Sequence, residues 1–207
     1  MKVNSPTRRT QSERTAATRA QLLAAARKLF AAKGFAEVST QAVVEAAGVT
    51  RGALYHQFQD KADLFAALYE QVEEQLAADV VAAIAAEKPA GTMAAMRLGA
   101  RLFLDHCSAP DVAQIVLIDA PSVLGWERWR EVGIRYGLGI IEGMLAQAVD
   151  EGVVPPQPLR ATAHVLLSAL DEAALYISRA ADPDVARCDM YAVCDRLIAG
   201  LSADYSD

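Results

Sequence analysis

The chain has 207 residues, 53% of them apolar and 22% charged, with a formal net charge of −6. That is ample core for one domain of moderate size, or for a small head on a larger body. The charge is split unevenly: residues 1–60 hold nine Lys or Arg against four Asp or Glu, and residues 61–207 hold eleven against twenty-two. A basic N-terminal part attracts phosphate without regard to sequence, and an acidic remainder repels it. No run approaches the roughly 18 unbroken apolar residues of a membrane span, and Met1 to Arg14 is polar and basic with no apolar run of a targeting signal. A cytoplasmic location with no membrane partner is expected. Cys107, Cys188 and Cys194 are odd in number and lack metal-ligand spacing, so inert thiols are expected, with neither metal nor cofactor.

In chain order, residues 1–12 read as a disordered arm rich in Ser, Thr and Arg, whose Arg8 or Arg9 could reach a minor groove. A helix from about Glu13 to Lys33 carries an apolar stripe at Leu22, Ala26, Leu29 and Phe30 and stops at Gly34-Phe35. Thr40 to Lys61, TQAVVEAAGVTRGALYHQFQDK, then spells two short helices around a tight turn. Gly48 can take the left-handed conformation that closes the first, Val49 would lock the turn onto the core, and Thr50 caps the second. Val43, Val44 and Ala47 face inward on the first helix, Leu54 and Phe58 on the second. Arg51, Gly52, Ala53, Tyr55, His56 and Gln57 remain outward, a mixture suited to a major groove about 12 Å wide. An ordinary corner between two helices would explain the turn but not the flanking pattern, which continues the match through Asp60 and Lys61.

Residues Gln21 to Leu68 resemble the DNA-binding head of the TetR family of bacterial regulators. The resemblance rests on Ala26 and Phe30, Gly34-Phe35, Ser39-Thr40, Ala47-Gly48-Val49, Gly52, Leu54-Tyr55, Phe58, Lys61, Leu64 and Phe65. It covers about a quarter of the chain, with fixed order and spacing. Val44 departs from the Ala that many members carry. The spacing of apolar residues and of Gly and Pro predicts an all-α fold of about nine helices, and the resemblance implies an arm 1–12, a head 13–60, and a ligand-binding and dimerisation body 61–207. Within the head, Arg51 is expected to read a base, with Gly52 and Ala53 letting the helix sit deep. Thr40, Thr50, Tyr55, His56 and Lys61 are expected to hold phosphates.

From Lys61 to Glu87 there is neither Gly nor Pro, and Leu64, Leu68, Val72, Leu76 and Val80 recur every fourth residue, predicting one long amphipathic helix of about 40 Å. Such a rod can carry a displacement from body to head. Thr92 is expected to cap the next helix, Pro110 and Pro121 to bracket a short one, and further helices to run over about 124–150, 159–181 and 183–201. Asp119 to Arg130, DAPSVLGWERWR, is similar to a segment of the ligand-binding half of one group of TetR-like regulators.

Gly137-Leu138-Gly139 resembles part of a dinucleotide loop, but no strand precedes it. With Gly133 and Gly143 it gives two small-xxx-small pairs, expected to let another helix approach. His106 and Cys107 are adjacent and would not face each other on a helix, and His164 and Asp171 read as a structural hydrogen bond. No HExxH, P-loop or GxSxG sequence is present, and an enzyme is not expected. Phe103, His106, Trp126, Trp129, Tyr136 and Tyr176 are expected to line a pocket for a small apolar or aromatic effector, with Arg101, Asp119 and His164 on the same helices. Leu166, Leu170, Ala173, Leu197 and Ile198 are expected at a homodimer interface of the last two helices. The functional expectation is a ligand-responsive regulator, a repressor that binds double-stranded DNA at an inverted repeat. The alternative is a helical enzyme or scaffold with an incidental basic corner, which the uneven charge and the contiguous motif disfavour.

Overall fold

The computed structural model describes residues 11–202, and Arg8 and Arg9 lie outside the described residues. Gln11 and Ser12, expected in the arm, are already helical. Among the described residues there are nine helices and no strand: α1 (Gln11–Glu37), α2 (Thr40–Ala47), α3 (Arg51–Gln57), α4 (Lys61–Glu87), α5 (Thr92–Ser108), α6 (Pro110–Leu124), α7 (residues 126–150), α8 (Leu159–Arg179) and α9 (Pro183–Gly200). No single one is long and apolar enough to cross a membrane. The chain divides into two compact units, Met1–Leu68 and Tyr69–Asp207, so the division falls within α4, two turns beyond the expected boundary at residue 60.

The head is organised by three aromatic rings. Phe30, Phe35 and Phe65 stand 5.2 to 5.6 Å apart between centroids, two of the three contacts edge-on, the arrangement favoured by ring quadrupoles. Phe35 reaches that cluster because Gly34 breaks helical geometry at φ 75°, ψ 162°, turning the end of α1 back over the core. α2 is capped by Ser39, whose hydroxyl accepts from the Ala42 N–H at 3.1 Å. Its other end closes as expected: Gly48 is left-handed at φ 65°, and the Val49 N–H donates to the Val44 carbonyl at 3.1 Å. Thr50 caps α3 by accepting from the Ala53 N–H at 3.2 Å. Asp60 accepts from the Asp63 N–H and Asp63 from the Gln59 N–H, a reciprocal box that starts α4.

Lys61, expected on phosphate, has partners inside the head. Its ammonium donates to the Phe35 and Val38 carbonyls at 2.8 and 2.9 Å and lies 4.1 Å from the centre of the Phe35 ring. Two of its three donors therefore tie down the segment leaving α1.

In the body, α5, α7, α8 and α9 surround a core of Met96, Ala100, Leu138, Leu145, Leu167 and Ile198. The break expected at Pro121 falls instead at Gly125, which has φ 81°. The backbone widens to π-helical geometry over Ala113–Asp119, and Pro121 then sits in the first turn of the α-helical segment Ala120–Leu124, where its missing N–H does little harm. α7 contains a second π-helical stretch, Ile134–Leu138. Of its four spaced glycines only Gly137 meets a neighbouring helix: a Cβ there would lie 3.2 Å from Leu167 Cδ1 of α8, while Gly133, Gly139 and Gly143 meet nothing within 4 Å. Thr92 is not a cap: Gly91 holds that position, and the buried Thr92 hydroxyl donates to Glu151 at 2.7 Å, joining α5 to the end of α7.

Replacing Lys61 by Ala strands two carbonyls and should destabilise the head by about 1 to 3 kcal/mol. Chemical unfolding followed by circular dichroism checks this. Unchanged unfolding together with a flatter salt dependence of DNA binding would instead point to the phosphate-binding role.

Candidate functional site

The exposed surface of the head is built on α3 and the start of α2. Leu54 and Phe58 turn fully inward, which fixes the phase of α3 and leaves Arg51, Gly52, Tyr55 and His56 exposed. Arg51 packs its guanidinium 5.6 Å from the centre of the Tyr55 ring. Hydrogen bonds from the Thr40 hydroxyl, and then from Arg51, hold the Tyr55 phenol below its ordinary pKa. Thr40, Arg51 and Tyr55 thus form one polar ridge across two helices, with Thr50 and Ala53 at its edge. Gly52 has ordinary space around it: an added Cβ would find only its own neighbour Thr50 Oγ1, at 4.0 Å. Nothing inside the head requires glycine here, and glycine costs a helix about 1 kcal/mol.

The body contains a cavity of about 100 Å³, walled by α4, α5, α7, α8 and α9. Its walls are apolar, with Phe103 and Tyr136 among them. The other four expected residues lie elsewhere. Trp126 is 67% exposed and stacks at 4.9 Å on Trp129. Trp129 is buried, its Nε1–H committed to the Val116 carbonyl at 2.9 Å. Tyr176 is half exposed and edges a separate shallow groove with Glu172, Arg179 and Val185. His106 lies on α5, outside the cavity lining. Arg101 points away too, bonded to Asp195 beside the Tyr191 ring.

Within one chain, the residues expected at the dimer interface divide between cavity wall, interior and surface. Leu166 and Leu170 line the cavity, and Leu197 also touches it. Ala173 and Ile198 are buried in the body's own interior. The exposed apolar side chains of the last two helices are Val165 and Tyr176 on α8, with Val185, Val193 and Leu197 on α9.

The polar groups of the cavity, Glu73 and Asp171, escaped sequence reading as such. Burial pushes the Glu73 carboxyl up to about 7, and the negative charge of Asp171 adds to this. Burial likewise pushes Asp171 up to about 6, with Arg130 pulling the other way. Arg130 donates to Asp171 at 2.8 Å and to the Ser168 hydroxyl at 2.9 Å, and also reaches the His164 carbonyl. The expected link between His164 and Asp171 therefore runs through this guanidinium. The signal for Glu73 was present: it stands four residues after Tyr69 and three before Leu76, inside the apolar stripe of α4, where an acid must find a partner or a proton.

Comparisons with known proteins agree with both halves. The family model described as "Bacterial regulatory proteins, tetR family" matches residues 22–68, and that described as "Tetracyclin repressor-like, C-terminal domain" matches residues 93–201. The HTH-type transcriptional regulator CymR of Pseudomonas putida is 37% identical over 122 residues, 58% of this chain and 60% of that protein. The match therefore spans less than two thirds of that relative's length. A crystal structure of a TetR-family transcriptional regulator from Pectobacterium atrosepticum superposes with a TM-score of 0.82 at 31% identity, covering 95% of this chain and 99% of the other. RolR, solved with resorcinol as ligand, has the same fold at a TM-score of 0.68 and 17% identity, over 94% of this chain and 97% of its own.

A carboxyl whose folded-state pKa is raised stabilises the fold below its unfolded value, near 4.5, and loses that contribution as pH rises toward 7. Glu73→Gln, which mimics the protonated acid, should therefore raise stability by up to about 2 to 3 kcal/mol at pH 8 and change it little at pH 4.5. Unfolding curves at the two pH values check the sign, and equal effects at both would refute it.

Proposed function

Because the chain belongs to the TetR family of bacterial regulatory proteins, we propose that it is a transcriptional repressor that leaves its DNA operator when a small apolar or aromatic molecule occupies the body. The carrying observation is the ridge of Thr40, Arg51 and Tyr55 beside an uncrowded Gly52 on the outer face of α3. Arg51 reads a base, a guanine suiting its paired N–H donors, and Gly52 with Ala53 lets α3 sit deep in the major groove. Thr40, Thr50, Tyr55 and His56 contact phosphates and set the register. Lys61 supports them by holding the end of α1 in place.

The cavity with Phe103 and Tyr136 on its wall supports an effector site, and the resorcinol bound by RolR is a precedent in the same fold for an aromatic ligand. Effector and DNA are coupled through α4, whose residues belong to both compact units. To invert a population from 99:1 to 1:99, the effector must favour the released arrangement by about 5.5 kcal/mol. The protein acts in the cytoplasm as a homodimer, through Val165, Tyr176, Val185, Val193 and Leu197, which are exposed on each chain. Two recognition helices spaced by about 34 to 36 Å or more meet successive major grooves, so the operator is an inverted repeat.

Arg51→Ala should cost about 1 to 3 kcal/mol on the operator and relax preference at one base pair in each half-site. Competition between operator and random DNA measures this, and an unchanged affinity ratio would remove the base-reading role. Val165→Glu, at a position 68% exposed in the chain, should leave each monomer folded but place like charges against each other in the dimer. Sedimentation is expected to show monomers with only weak, non-specific DNA binding, and a dimer with full affinity would move the interface elsewhere.

A further inference from the structure

The body's cavity is apolar on all sides but one, where Glu73 of α4 and Asp171 of α8 meet it. The two acids are not equivalent. Asp171 has its counter-charge in Arg130 at 2.8 Å, and that guanidinium is further spent on Ser168 and on the His164 carbonyl. Glu73, by contrast, is in no ion pair among the described residues. Its hydrogen-bond partner is Tyr69, one turn earlier on α4. The Tyr69 hydroxyl has a single proton and also donates to the Trp129 carbonyl at 3.0 Å, so the two acceptors share it. That contact favours ionised Glu73 but, coming from a neutral group, does not cancel its charge. The other titratable groups facing Glu73 are Asp171 and the buried Cys107 thiol, which burial pushes up and keeps neutral. Glu73 is thus a buried acid that meets the cavity with its charge unbalanced whenever it is ionised.

We propose that the effector binds Glu73 through a hydrogen-bond-donating head, an ammonium or a hydroxyl, while its apolar body lies against Phe103, Tyr136, Ile140, Met144, Leu166 and Leu170. This rests on the reading of the cavity as the effector site. A monocation balances the count of two carboxylates against one guanidinium. A hydroxyl donates to the carboxyl without adding charge. A carboxylate effector would instead bring a third anion into a low-dielectric site whose one cation is already engaged, so the site selects against it. The two permitted heads differ in their proton linkage. An ammonium requires ionised Glu73, so its affinity falls about tenfold for each pH unit below about 7, whereas a hydroxyl binds with little pH dependence.

Benzylamine, benzyl alcohol and benzoate share one ring and differ in the head, and calorimetric titration of each into the full-length protein between pH 5.5 and 8.5 tests the assignment. The amine or the alcohol, or both, should bind at least about tenfold more tightly than benzoate at pH 8. Amine affinity should climb to a plateau above about pH 7. Glu73→Gln should abolish that climb and weaken the amine at least about tenfold at pH 8, with the alcohol changed less than about threefold. Benzoate binding as tightly as both other probes, or an amine pH profile untouched by Glu73→Gln, overturns the proposal while leaving the cavity an effector site. Leu170→Phe, which fills the cavity from its wall, keeps the test independent of Glu73→Gln folding. Loss of binding in that variant supports the location, and retained binding of every probe overturns it. Failure of all three probes to bind the parent protein counts against the effector-site reading itself.

Discussion

Two carboxylates and one guanidinium share the interior of the body, and the packing around the cavity follows from how that imbalance is managed. Arg130 is drawn inward from α7 to Asp171 on α8, which fixes the rotation of those helices against each other. Tyr69 and Glu73 on α4 are tied to the same region through the Trp129 carbonyl. Removing one partner from such a set costs far more than the set contributes to stability, because the remaining charge stays buried. Apolar residues of equal volume would serve stability as well. The polar set is better understood as a constraint on geometry and on what can occupy the cavity beside it.

The head answers a different constraint, which is to hold a seven-residue helix rigidly enough to present three exposed side chains, Arg51, Tyr55 and His56. A helix that short has almost no stability of its own. Caps at Thr50 and Phe58, two inward anchors and a left-handed turn at Gly48 supply what length does not. Lys61 belongs to this scaffold, since it fixes the chain leaving α1 from below. One of the five side chains expected on phosphate is thus hydrogen-bonded to backbone carbonyls.

Order and spacing made the head legible before any coordinates, because its determinants are local: a glycine at a positive φ, a capping hydroxyl, and inward residues three and four apart. The long helix α4 was legible for the same reason. The body resisted because its determinants are not local. Periodicity places Trp126 and Trp129 on one helix, yet only the positions of Val116 and Tyr69 decide that Trp129 is locked away from the cavity. Leu166 and Leu170 are apolar at helical spacing whether they face a cavity or a second subunit. Pro121 looked like a terminator because a π-helical stretch leaves no mark in hydrophobic patterning. Glu73 alone could have been singled out, as an acid within an apolar stripe.

The placement of Trp129 has an optical consequence. The chain has two tryptophans, both in the first turn of α7, and the head has none. One indole lies in water and its neighbour is buried beside it, with the backbone of the buried one accepting the proton of Tyr69, which in turn meets Glu73. Tryptophan emission therefore originates at a single place, one hydrogen-bonded tyrosine away from the titrating acid of the cavity. A DNA duplex that touches only the head leaves this emission dark to its arrival, so any change on adding operator would come from motion transmitted into the body.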